Sequence, residues 1–121
     1  MKLLIVDDER ELAESLSRFL KLSAHSCVMA LDVKEAINSI ALDSPEIVIT
    51  NYRLPDGDGF DVIRHVRRTL PQAPVILITG YHDSGLEKAA RQAGASAYLR
   101  KPFPLAALTN AIMAVTKPST P

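Results

Sequence analysis

Five times along the chain a short apolar run is followed by a stretch whose apolar residues recur at intervals of three and four. The runs are Leu3–Val6, Cys27–Leu31, Ile47–Ile49, Pro74–Ile78 and Ala95–Leu99. Ile47-Val48-Ile49 is β-branched at every position, the pattern of a parallel strand buried on both faces. Between the runs, Leu12, Leu16, Phe19, Leu20 and Leu22 predict a one-faced helix over Glu11–Leu22. Ala36, Ile37, Ile40 and Ala41 predict a second, entered through the capping-box pattern Asp32-Val33-Lys34-Glu35 and stopped at Ser44-Pro45. A third runs from about Gly59 to Leu70 through Phe60, Ile63 and Val66, and a fourth over Ser84–Gln92 is closed by Gly94. Pro104-Leu105 opens the last, through Leu108, Ile112 and Val115. Strand and helix alternating five times leave few architectures. The favoured one is a single doubly wound α/β domain of (βα)5, flavodoxin-like form, its five-stranded parallel sheet in the order 2-1-3-4-5. Residues 1–116 form that domain, and 117–121 are a tail or the start of a linker.

Composition narrows the function classes. Fourteen basic and fourteen acidic residues cancel, which removes the electrostatic case for direct nucleic-acid or anionic-membrane binding. No stretch approaches the roughly 20 apolar residues of a membrane span. Leu3–Val6, closed at once by Asp7, Asp8 and Glu9, is too short for a signal-peptide core. A cytoplasmic protein is expected, with the lone Cys27 as a small buried hydrophobe. His25, His65 and His82 lack ligand spacing, so zinc is not expected. The run Asp56-Gly57-Asp58-Gly59 lacks the oxygen spacing and closing Glu of a calcium loop and reads as a turn.

In sheets of this kind chemistry gathers beyond the carboxyl ends of the strands. Four of the five predicted strands end in polar groups: Asp7 and Asp8, Asn51, Thr79, and Lys101. Singly, each has a bland reading. An acidic pair favours a helix N-terminus, a Thr suits a turn, a Lys before Pro is a solvated charge, and Tyr98 is ordinary core. Jointly, two carboxylates and an amide oxygen suit Mg²⁺, and a hydroxyl with an ammonium suits a tetrahedral anion beside it.

From Leu3 to about Val115 the chain resembles the receiver domain of two-component response regulators. The resemblance rests on Val6-Asp7-Asp8-Glu9, on Leu54-Pro55 followed by Gly59, on Thr79 after an apolar strand, and on Lys101-Pro102-Phe103. It implies a switch, not an enzyme: a bacterial phosphorelay module that binds Mg²⁺ and takes a phosphoryl group from a histidine kinase or phosphotransfer protein. Asp8 is then a direct Mg²⁺ ligand, Asp7 acts chiefly through water, and the Arg53 carbonyl completes the protein ligands. Thr79 binds the phosphoryl oxygens, Lys101 pairs with acceptor and phosphoryl, and Tyr98 rotates to report the change. The implied output, a downstream effector domain or protein, is reached through residues 84–116, which could also form a homodimer face.

One position departs from the family. Four residues before Pro55 the family keeps its phosphoacceptor Asp, and here stands Asn51. An amide matches a carboxylate in size but is a poor nucleophile. It also removes one attraction for Mg²⁺, about 4 kcal/mol for a unit pair near 4 Å at an effective dielectric of 20, before desolvation. Orthodox aspartyl phosphorylation is therefore not expected, and Mg²⁺ binding should be weakened. The otherwise intact pocket favours an engineered or recent Asp→Asn change over a natural, phosphorylation-independent pseudo-receiver. Two other classes are poorer matches. A phosphatase or phosphotransferase would use Asp7 as nucleophile but wants Asp-x-Asp, and a flavin carrier would set its phosphate against Asp7-Asp8-Glu9.

Overall fold

The computed structural model describes residues 1–81, 83 and 85–116. The expected helix start at Ser84, the tail at 117–121 and His82 lie outside the described residues. Strands β1 (Lys2–Val6), β2 (Ser26–Ala30), β3 (Ile47–Asn51), β6 (Val75–Thr79) and β7 (Ala97–Arg100) form one parallel sheet in the order β2-β1-β3-β6-β7. With the main strands counted alone this is the expected 2-1-3-4-5. Two strands of two residues each, β4 (Arg53–Leu54) and β5 (Gly57–Asp58), make a small antiparallel hairpin beside it.

The central strands are buried along their whole length, β3 and β6 at every residue. Alternate residues serve opposite faces, as strand geometry requires. Leu3, Ile5, Ile47, Ile49, Ile76 and Ile78 pack under helices α1 (Arg10–Leu22) and α5 (Leu105–Thr116) through Leu16, Leu20, Leu108 and Ile112. Leu4, Val6, Val48, Val75 and Leu77 pack under α2 (Val33–Asp43), α3 (Gly59–Thr69) and α4 (Leu86–Ala93). A sheet filled from both sides fixes its register, so the strand ends reach one edge at set heights. Cys27 is only half-buried, at the margin of the α1 side.

The helix starts show how polar residues lock that edge. Asp32 caps α2, accepting from Glu35 N–H at 2.8 Å, while the Glu35 carboxylate accepts from Leu31 N–H instead of closing the box on Asp32. Asp58 caps α3 with a complete box, accepting from Phe60 and Asp61 N–H while Asp61 accepts from Asp58 N–H. The Asp-Gly-Asp-Gly segment is thus more than a turn. Asp56 reaches across to α2 and accepts from Val33 N–H at 2.8 Å and Lys34 N–H at 3.0 Å. The Val33 bond, supported by that from Lys34, holds the Asp56 carboxyl below its ordinary value against the opposing effect of desolvation. A depressed carboxyl adds stability above its unfolded value that is lost as pH falls through the folded one. Asp56→Ala is therefore expected to lower the urea midpoint at neutral pH. The gap from the native chain should close as pH drops below the ordinary aspartate value of 3.8. A gap that persists in acid would assign the effect to packing.

Candidate functional site

The ends of β1, β3, β6 and β7 enclose a cleft of about 430 Å³ lined by Asp8, Glu9, Asn51, Arg53, Thr79, Gly80, Tyr81 and Lys101. Behind that lining, joined to it through Lys101, is Asp7, fully buried just past β1, whose N–H continues the ladder to Ala30 O at 3.0 Å. Asp7 Oδ1 accepts from Glu9 N–H at 2.9 Å and Oδ2 accepts from Lys101 Nζ at 3.0 Å. Burial pushes the Asp7 carboxyl up, and these two partners oppose the push. Lys101 also reaches Glu9 Oε1 at 3.2 Å, and its own N–H ties the β7 loop to Thr79 O at 2.8 Å. The peptide between Lys101 and Pro102 is cis.

At the centre, Asn51 closes β3, 7% exposed. Its Nδ2 donates to Arg53 O at 2.8 Å, across the tight turn that follows the strand. Thr79, 2% exposed, ends β6 beside it; its Oγ1 accepts from Tyr81 N–H at 2.9 Å, and among the described residues its hydroxyl proton has no acceptor. Over the mouth, the Arg53 guanidinium lies 4.6 Å from the Tyr81 ring centre, a cation–π contact. Tyr81 in turn neighbours Tyr52, whose ring meets Phe60 edge-on at 5.5 Å.

Of the residues singled out in the sequence, Asp8, Asn51, Arg53, Thr79 and Lys101 share the cleft, with Asp7 behind them. Tyr98 does not join them. It pairs with Leu77 in the β6–β7 register and packs, half-buried, on the α2–α3–α4 side, where burial raises its hydroxyl pKa. The sequence reading missed Glu9 as a partner of Lys101, and it missed Tyr81. A signal for Tyr81 existed: Arg53 and Tyr81 each stand two residues past the ends of neighbouring strands.

The donor set suits a hard divalent cation in kind: the exposed Asp8 carboxylate, the Asp7 carboxylate, Asn51 Oδ1 and Arg53 O. Two of these four are already engaged, Asp7 by Lys101 and Arg53 O by the Asn51 amide. Among the described residues no three His, Cys, Asp or Glu side chains converge as a metal-holding group. None of the described helices is long and apolar enough to cross a membrane.

Residues 3–113 match the family model described as the response regulator receiver domain. Response regulator MprA of Mycolicibacterium vanbaalenii is 36% identical over 121 residues, an alignment covering 100% of this chain and 52% of that protein. The chain spans about half the length of the curated relatives it matches. Among solved structures, a two-component response regulator from Clostridium difficile superposes with a TM-score of 0.90 at 26% identity, covering 95% of this chain and 94% of that one. The non-phosphorylated HemR receiver domain from Leptospira biflexa does so with 0.88 at 25% identity, covering 99% and 97%.

Proposed function

The chain belongs to the response regulator receiver domain family, and on that footing we propose that it is a two-component switch module whose phosphoacceptor position, Asn51, cannot accept. The observation that carries the proposal is Asn51 itself. It is an uncharged amide at the end of the central strand, within one cleft that also holds Asp8, Thr79 and Lys101. An amide has no lone pair of carboxylate strength to attack phosphorus, and no charge to hold a cation. Asp8 and Asn51 Oδ1, with Asp7 behind, would hold Mg²⁺, which would supply charge neutralisation for phosphoryl oxygens.

The chain's own groups are arranged for an oxyanion. Thr79 has its hydroxyl proton to donate, and Lys101 keeps one of three ammonium protons after serving Asp7 and Glu9. Tyr98 packs half-buried on the α2–α3–α4 side of the sheet, outside the cleft lining, and would report any change there through its packing. The Asp7 phosphatase alternative fits poorly, because that carboxylate is fully buried and held from both sides. A histidine kinase or phosphotransfer protein is the upstream partner in this reading. An effector is the downstream one, reached through α4, β7 and α5, and the domain works in the cytoplasm as a switch, not as an enzyme. An engineered or recent Asp→Asn change accounts for Thr79 and Lys101 standing in place better than long decay does.

Intact mass after incubation with Mg²⁺ and a small-molecule phosphodonor tests this on the native chain and on Asn51→Asp together. Only Asn51→Asp should gain a phosphoryl group. If neither gains one, the pocket has lost more than its acceptor and the chain is a pseudo-receiver. Labelling of the native chain would place the acceptor elsewhere.

A further inference from the structure

The hydrogen bond from Asn51 Nδ2 to Arg53 O, 2.8 Å long, fixes which way the amide faces. Turned over, it would set Oδ1 against a carbonyl oxygen, two acceptors at hydrogen-bonding distance with no proton between them. A carboxylate held in the same rotamer would meet that conflict in either orientation, and a proton or a cation placed between the oxygens relieves it. We propose that the Asn51 amide proton stands in for the divalent cation at Arg53 O. Ligation of that carbonyl by a metal and the side-chain hydrogen bond then exclude each other, and the pocket is set in its resting geometry without metal. The inference rests on the receiver reading of this cleft. It adds a second source of weak metal binding to the missing charge, namely competition from a group the chain itself provides.

The two sources can be separated because Ala at position 51 is as uncharged as Asn but has no amide. Mg²⁺ is titrated into the ¹⁵N,¹³C-labelled native chain, Asn51→Asp and Asn51→Ala, following the backbone amide shifts of Asp8 and Arg53. Asn51→Asp should bind at least about tenfold more tightly than the native chain, from restored charge. Asn51→Ala should also bind more tightly, by about three- to fivefold, because freeing Arg53 O from one net hydrogen bond outweighs the loss of a weak amide ligand. Equal or weaker binding by Asn51→Ala than by the native chain overturns the competition. If Asn51→Asp gains nothing either, it is the reading of the cleft as a metal and phosphoryl pocket that falls. A second measurement needs no variant. Scalar coupling between Asn51 ¹⁵Nδ2 and the Arg53 carbonyl carbon should be present in chelator and vanish as Mg²⁺ saturates the native chain. Coupling that survives saturation overturns the proposal.

Discussion

Lys101→Met is expected to destabilise the fold by about 2–4 kcal/mol in chelator at neutral pH, because it strands a charge it now serves. Asp7 is fully buried, and the Lys101 side chain is 17% exposed, so their 3.0 Å contact is shielded from water. The second contact of Lys101 matters little. Glu9 is 66% exposed, and Glu9→Gln should change stability by no more than about 0.5 kcal/mol. The decisive variant is the double one. Asp7→Asn with Lys101→Met removes both charges, while the side-chain oxygen of the new amide can still accept from Glu9 N–H as the Asp7 carboxylate does. It should return to within about 1 kcal/mol of the native chain, since a buried pair offsets its own desolvation and little more. Urea unfolding of the native chain, the two single variants and the double variant reads the coupling directly. If the double variant is as unstable as the two single changes summed, Asp7 and Lys101 do not act on one another. The pocket would then be a set of independent groups.

That pair also marks where the sequence stopped being readable. Position along the strands was legible, because a strand buried on both faces admits few polar residues before its end. β3 and β6 each keep theirs for the last two positions or the last one: Thr50 and Asn51 in β3, Thr79 in β6. From those ends the cleft followed, as did the family. What each side chain does once there depends on turns whose shape no periodicity encodes. The Asn51 amide finds Arg53 O only because the chain doubles back into the Arg53–Leu54 and Gly57–Asp58 hairpin. Asp56 caps a helix 23 residues earlier in the chain, and Lys101 meets Asp7 across 94 residues. Such contacts are set by tertiary placement, and the local pattern Asp-Gly-Asp-Gly reads equally well as a bare turn. Tyr98 shows the opposite case. Its strand was legible, but the side chain packs half-buried among the α2–α3–α4 core and does not line the cleft.

Gly59→Ala is expected to cost about 2–3 kcal/mol, a fall of about 8–12 °C in Tm, although Ala is the better helix former. Gly59 is the first residue of α3, and its N–H donates to Tyr52 O at 2.6 Å, pinning the helix start against the end of β3. A Cβ there would lie 2.5 Å from Leu77 Cδ1, 2.7 Å from Asn51 O and 3.3 Å from Tyr52 Cα. Leu77 could turn aside only within a filled core, and Asn51 O is backbone, so the strain passes to the residue at the centre of the cleft. The reason for glycine is therefore close approach, not a left-handed backbone. Gly80→Ala is the control, since among the described residues its Cβ would meet only Lys101 Cβ, at 3.9 Å, and the change should stay within about 0.5 kcal/mol. Thermal unfolding of both variants checks the magnitudes, and the Asn51 side-chain amide resonances check the route. A destabilised Gly59→Ala whose Asn51 signals are unmoved would confine the strain to Leu77 and the core. Shifted Asn51 signals would show that the helix start and the end of β3 are one mechanical unit.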